Sequence, residues 1–393
     1  MKPLQHLTIL DLSRVLACPF ASMVLAELGA TVIKVEQPGA GDETRGFEPR
    51  LAADSAYFFA CNRSKASITV NLRSDEGRRI IRELAQQADV FVENFPVGTL
   101  GRQGLDYATL SALNPRLVYL SCTGFGQSGP YARKKGYDTV FQAMGGLMSL
   151  TGEKGGGPVK PGLPVADLTS GLWVAIAILA ALAGREKTGR GAHVDFSMLD
   201  GQVSLLTLAA ARYFALGEVP PRLGTEHPGR VPSATFRCKD GKYAHITASD
   251  QHWAPLCEAL ELKMGSDPIF DSNAARVARR EEVMARMTAA VAQLTRAELI
   301  TKLDAADVPV GPVNDVAEVL ADPQVRARNM VGSFDYPGVG EFRALALPYK
   351  FLGWDDPQIG SPPALGEHTE AILKERLGYS DERIAGLRAA KAI

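Results

Sequence analysis

The first two hundred residues alternate short β-rich runs with helix-patterned segments, and that alternation restricts the possible folds more than any other feature. Strands are expected at residues 7–12, 31–36, 67–72, 90–93, 117–122 and 193–197. Helical patterns at 20–28, 75–87 and 107–113 separate them. Strands that are apolar on both faces and separated by helices belong in a mostly parallel sheet covered on both sides, which is an α/β architecture. The pattern then changes. A helical stretch over 201–216 is followed by an irregular Pro/Gly-rich segment, 217–232. A hairpin is expected over 235–238 and 243–247, turning at Lys239-Asp240-Gly241-Lys242, where Asp-Gly is a strong turn signal. Helical patterns fill 252–303, and the tail adds short strands at 330–336 and 341–346 and helices over 368–390. The expected organisation is therefore a large domain over 1–224, a smaller α+β domain over 225–325 and a closing segment over 326–393.

Composition excludes several classes of function. With 393 residues, 46% of them hydrophobic, and a net charge of −1, the chain can build sizeable cores but has no global attraction for nucleic acid or anionic membrane. An anionic ligand must be held by local charge. The five cysteines (Cys18, Cys61, Cys122, Cys238 and Cys257) are scattered without a CxxC pair or zinc spacing, so no metal is expected and a reduced compartment fits best. Strand-like sequence begins directly after His6, which leaves no room for a targeting peptide. The longest apolar run, 172–183, falls well short of the roughly 20 residues a spanning helix needs and reads as a buried helix. A cytoplasmic protein without membrane or nucleic-acid partners is expected.

Several local patterns could carry chemistry. Gly124-Phe125-Gly126-Gln127-Ser128-Gly129 is a literal GxGxxG after a strand, yet no apolar helix opens behind it and no acidic strand end follows about 20 residues on. A plain loop at the ligand-binding edge of a sheet is therefore favoured over a nicotinamide or flavin site. Gly39-Ala40-Gly41-Asp42 reads as a turn or as backbone bent around a ligand. Arg14, Arg73, Arg102, Lys134 and Lys135 stand beside turns, where they could bind phosphates or be solvated surface charges. Asp167, in Pro164-Val165-Ala166-Asp167-Leu168-Thr169, precedes an apolar helix. It is an N-cap, a pocket-facing carboxylate ionised at neutral pH, or both. The six histidines share no metal-like spacing, and neither GxSxG nor a Walker A loop is present.

Taken in order, the motifs resemble the class III CoA-transferases, the formyl-CoA and carnitine-CoA transferase family. The resemblance runs through Asp11-Leu12-Ser13-Arg14-Val15-Leu16-Ala17-Cys18-Pro19-Phe20, Val32-Ile33-Lys34-Val35-Glu36, Asn62-Arg63-Ser64-Lys65 and Val92-Glu93-Asn94-Phe95. It continues through Gly136-Tyr137-Asp138, Ala166-Asp167, Lys187-Thr188-Gly189-Arg190-Gly191 and Val308-Pro309-Val310-Gly311-Pro312, and on to Leu365-Gly366-Glu367-His368-Thr369. Arg14-Val15-Leu16-Ala17 and Gly224-Thr225-Glu226-His227 resemble the succinate–hydroxymethylglutarate branch.

The resemblance implies a Rossmann-like large domain completed by the C-terminal segment, a smaller inserted α+β domain and an interlocked homodimer. Carried over by position, Asp167 is the catalytic carboxylate. Arg14, Val15, Ala17, Val70, Arg73, Asn94, Phe95, Arg102, Lys135, Tyr137 and Met198 fall at CoA-contacting positions. Coenzyme A is then a substrate, with a free carboxylic acid as co-substrate and no tightly bound cofactor. Gln37 stands where formyl-transferring members carry a basic residue, and their glycine-rich gating loop has no counterpart near 224–229. The same fold also hosts α-methylacyl-CoA racemases, whose proton-shuttling histidine is replaced here by Tyr137. A non-catalytic acyl-CoA-binding protein is a further alternative.

Overall fold

The computed structural model describes residues 2–393. Six strands form one sheet: β1 (Thr8–Asp11), β2 (Thr31–Glu36), β3 (Ala66–Thr69), β4 (Val90–Glu93), β5 (Val118–Thr123) and β6 (His193–Ser197). Their order is β3-β2-β1-β4-β5-β6, and every pairing is parallel. This is the doubly wound order, in which the direction of growth reverses between β1 and β4 and leaves a crevice at the carboxyl ends. The associated helices are α1 (Ala17–Glu27), α2 (Ala56–Asn62), α3 (Asp75–Gln87), α4 (Tyr107–Leu113), α5 (Asp138–Met144), α6 (Val165–Thr188) and α7 (Met198–Ser204).

Alternate residues of each strand serve opposite cores. Ile9 lies between Val32 and Val90 and packs with Ala21 of α1 and Ile178 of α6. Leu10, Ile33, Phe91 and Tyr119 face the other side, with Ile80 and Leu84 of α3. Burying such side chains contributes about 1.5–3 kcal/mol each, which explains why these strands read as continuous apolar runs. Ser74 and Asp106 cap the helices expected at 75–87 and 107–113. The helix expected at 20–28 starts earlier, at Ala17, because Leu16 supplies no side-chain cap and leaves no local start signal. The stretch at 201–216 is two helices, α7 and Thr207–Leu216.

The chain divides into two compact units. One comprises the chain up to Leu147, Pro161–Ala211 and Gln324–Ile393; the other comprises Met148–Lys160 and Arg212–Pro323. The second unit therefore begins earlier than residue 225 and recruits 148–160, which composition did not mark. The Arg222 guanidinium ties that segment in by donating to the Gly156 carbonyl at 2.7 and 3.0 Å. Its antiparallel sheet joins Ser233–Arg237, Tyr243–Thr247 and Val310–Pro312, with Gly241 at φ +78° in the turn. Within the first unit, the returning C-terminal segment adds Leu373, Ile384 and Leu387 to the core around Leu10 and Ile33.

Helix α6 differs from its expectation. It has 24 residues and, among the described residues, is the one helix long and apolar enough to cross a membrane, because Val165–Leu168 and residues beyond the 172–183 run extend it. It is also not buried all round. Val174, Ile178 and Leu182 face the core, where Gly171 lets α6 approach α1 so closely that an added Cβ would stand 2.6 Å from the Ala17 carbonyl oxygen. Leu172, Trp173, Ile176 and Leu179 are exposed.

Beneath the carboxyl ends of β1 and β2 lies a buried ionic network. The Lys34 ammonium is fully buried, 2.8 Å from Asp42 Oδ2 and 3.0 Å from the Ser13 carbonyl oxygen. Asp11 accepts from the Ser13 backbone N–H at 2.9 Å and from Lys65 Nζ at 3.2 Å. Glu36 receives the Arg45 guanidinium through both oxygens, at 2.7 and 2.8 Å, and Arg45 reaches on to Asp54 at 2.6 Å. Burial alone would raise these acids, but the neighbouring lysines and Arg45 outweigh it and hold Asp11, Glu36 and Asp42 below the usual carboxylate range. Removing one partner leaves an uncompensated buried charge. Lys34→Met is expected to lower stability at neutral pH by about 3–5 kcal/mol, read from urea unfolding. Because the folded acids titrate below their unfolded values, the stability they add is present above about pH 4 and is lost as pH falls through the folded values. An unchanged midpoint in the variant would show that the network contributes nothing.

Candidate active site

A cleft of about 450 Å³ opens at the carboxyl ends of β1, β2, β3 and β4, where the doubly wound order reverses. Arg14 and Arg73 line it with the apolar surfaces of Val70 and Phe95, and Gln37 and Asp42 lie at its border on the β2 side. Among the described residues neither arginine is in an ion pair, so both charges can meet an anionic ligand.

The walls of this cleft are held by backbone contacts. Asn94 closes a reciprocal pair with Arg14: its Oδ1 accepts from the Arg14 N–H at 2.9 Å, and its Nδ2 donates to the Arg14 carbonyl at 2.8 Å. The Arg14 guanidinium sits 5.0 Å over the Phe95 ring. The Phe95 N–H donates to Glu93 at 2.8 Å, and burial pushes Glu93 up to about 7. Val15 occupies φ +69°, a strained value for a β-branched residue, and the Cys61 thiol donates to its carbonyl at 3.5 Å. On the opposite wall, the Arg73 N–H donates to Asn71 Oδ1, while Asn71 itself donates to the carbonyls of Lys391 and Ala392. The end of the chain thus fixes the loop that carries Arg73.

Asp167 lies in the first turn of α6, two residues after Val165, and is not its N-cap. The residue in the cap position is Pro164, which offers no side-chain acceptor. Burial, and then the charge of Asp138, push the Asp167 carboxyl up to about 7. The carboxyl is therefore held far above an exposed aspartate, toward its protonated form. Its position in α6 is anchored from below, where Thr169 accepts a hydrogen bond from Gln202 Nε2 at 3.0 Å. Tyr57 of α2 is pushed up to about 12 by burial, with smaller contributions from Cys61, Asp167, Asp138 and Asp42.

Of the positions expected to touch CoA, Arg14, Val70, Arg73 and Phe95 line the cleft, and Asn94 braces it from behind. Ala17 is buried at the start of α1 and Met198 at the start of α7. Arg102 donates to Thr99 at 3.4 Å and is exposed beside the cleft residue Gln103. Lys135 and Tyr137 are exposed in the loop before α5, and Tyr137 is 81% accessible. The GxGxxG loop has a packing explanation. A Cβ at its first glycine, Gly124, would stand 2.7 Å from the Phe141 ring, and the Gln127 N–H already donates to the Asp195 carboxylate. Two residues escaped the reading of motifs. Lys34 looked like an ordinary strand lysine, and Asp138 was legible only as the end of Gly136-Tyr137-Asp138.

Known proteins resemble the chain over nearly its whole length. A family model described as CoA-transferase family III matches residues 4–369. The succinyl-CoA:glutarate CoA-transferase of Mus musculus is 39% identical over 395 residues, covering 100% of this chain and 91% of that protein. The succinate–glutarate CoA-transferase of Agrobacterium fabrum is 38% identical over 387 residues, covering 95% of each. A crystal structure of a CAIB/BAIF family protein from Brucella suis superposes with a TM-score of 0.86 at 42% identity, covering 95% of this chain and 99% of that one. The chain belongs to CoA-transferase family III.

The environment of Asp167 makes a direct prediction. In a ¹³C carboxyl NMR titration, the signal lost in Asp167→Asn is expected to titrate near 7, where an exposed aspartate titrates near 3.9. A midpoint below about 5 would mean that burial and Asp138 do not act on it as described.

Proposed function

We propose that this CoA-transferase moves coenzyme A from a dicarboxylyl-CoA, with succinyl-CoA as the leading donor, to a free dicarboxylic acid, using Asp167 as the nucleophile. The observation that carries the reading is a half-buried carboxylate raised by burial and by Asp138, in the same unit as a cleft whose two arginines suit phosphate groups. The named relatives that act on succinyl-CoA and glutarate support the substrate class.

In this mechanism the ionised Asp167 attacks the thioester carbonyl, the C–S bond breaks, and an aspartyl mixed anhydride forms beside the CoA thiolate. The thiolate then attacks the aspartyl carbonyl, giving aspartyl-CoA thioester and releasing the donor acid. The acceptor carboxylate attacks that thioester, forming a second anhydride, and the thiolate completes the new acyl-CoA while Asp167 is regenerated. Each tetrahedral step needs N–H donors for its oxyanion. Contacts to the distant nucleotide end, at Arg14, Arg73 and Phe95, keep the thiolate in place between steps. Burial raises the basicity of Asp167 and so strengthens it as a nucleophile, at the cost of a smaller ionised fraction below neutrality. A racemase would need an acid–base pair, and the position of its histidine holds Tyr137.

The reading extends to a homodimer, with the smaller domain inserted in the larger one. The exposed apolar face of α6, at Leu172, Trp173, Ile176 and Leu179, suits burial against a second copy.

Incubation with succinyl-CoA and a panel of dicarboxylic acids is expected to yield one new thioester, seen by mass spectrometry, with stoichiometric succinate. Asp167→Ala is expected to lower turnover by roughly three orders of magnitude or more while leaving CoA affinity within about twofold. Turnover surviving in that variant would remove Asp167 from its role. The acid limb of kcat/KM should fall near pH 7, with activity rising as the carboxylate ionises. Sedimentation velocity should give a dimer mass, and Ile176→Asp should shift the population toward monomer; a monomeric wild type would refute the assembly.

A further inference from the structure

Helix α6 begins without a cap of its own. Its first-turn N–H groups need acceptors, and Pro164 in the cap position supplies no side-chain oxygen. The acceptor comes from a different helix. Asp138, at the start of α5, accepts from the N–H of Ala166 at 2.9 Å and of Asp167 at 3.2 Å, both at Oδ1. Its other oxygen accepts from Gln142 Nε2 at 2.6 Å, and the same amide lies 3.4 Å from the Leu163 carbonyl oxygen. Gln142 is fully buried, so this side of the clamp has little freedom.

We propose that Asp138 is a positioning residue for the Asp167 carboxylate, capping the nucleophile's helix from α5 while setting a negative charge beside the reacting group. The inference rests on Asp167 being the nucleophile. The cap fixes the backbone of the residue that must attack, so the direction of its side chain is set before substrate arrives. The charge acts on the same group in a second way. It disfavours the free Asp167 carboxylate and leaves the neutral aspartyl anhydride or thioester untouched, so it favours the acylated enzyme. Asp138 acts on Asp167 from α5, and Asp167 in turn acts on the phenol of Tyr57, on α2. Asp138 carries the larger influence on Asp167, second only to burial.

Asp138→Asn removes the charge while its amide oxygen can still accept from the two N–H groups, with the buried Gln142 amide turned over so that its otherwise unpartnered oxygen accepts from the new NH2. The midpoint of the Asp167 carboxyl signal is expected to fall by on the order of half a pH unit or more. The acid limb of kcat/KM should move with it, and kcat should fall by roughly tenfold. Asp138→Glu keeps the charge and should hold the midpoint near that of the wild type. A midpoint and acid limb unchanged in Asp138→Asn would overturn the proposal and leave Asp138 as a structural cap alone. The carboxyl titration does not depend on turnover. An active Asp167→Ala, which would remove the nucleophile reading, is therefore a separate result from an unmoved midpoint.

Discussion

Paired charge buried at the carboxyl ends of β1 and β2 is the interaction on which the cleft depends. Lys34, Asp42 and the Ser13 carbonyl tie the turn after β2 to the turn after β1, and Lys65 joins Asp11 from the start of β3. Glu36, Arg45 and Asp54 continue the lattice toward α2, where the Arg45 guanidinium lies 3.7 Å over the Phe58 ring. Desolvating such groups is unfavourable, and the lattice holds because nearly every oxygen and N–H in it meets a partner. Its geometric consequence matters more than its net energy. The loops that present Arg14 and Val15 are fixed by directional bonds, and only a firm scaffold can hold Val15 at positive φ.

Against that background Asp167 is handled in the opposite way. Asp11, Glu36 and Asp42 are drawn below their usual range by cations, whereas Asp167 is raised by burial and by a second carboxylate. The first arrangement makes inert structural anions. The second makes a more basic one, which suits the nucleophile proposed here. One fold thus uses the same side chain for two purposes, and the environment decides between them.

The pattern of elements was largely legible in the sequence. Strands β2, β4 and β6 fall where the sequence pattern places them, and α3 and α4 begin after Ser74 and Asp106 because those caps are local signals. Where the signal was not local, the reading missed. Helix α1 starts without a cap, α6 extends beyond its apolar run, and 148–160 joins the second unit through an arginine more than sixty residues away. The GxGxxG match misled for a related reason, since its first glycine, Gly124, is required by the Phe141 ring seventeen residues on, a contact that motif spacing does not reveal.

The sequence by itself determined the α/β alternation and the ordered series of motifs along the chain, whose resemblance to the family singles out Asp167. These are properties of residues and their near neighbours, so periodicity and motif order carry them. Tertiary structure alone decided the strand order that opens the cleft, the arginines that line it and the anchoring of one wall by the last residues of the chain. It alone decided how Asp167 is charged, because the group that shares its field and caps its helix lies 29 residues away. The strength of a carboxylate as a nucleophile depends on burial and on the charges around it, and both are set by what the fold brings together in space.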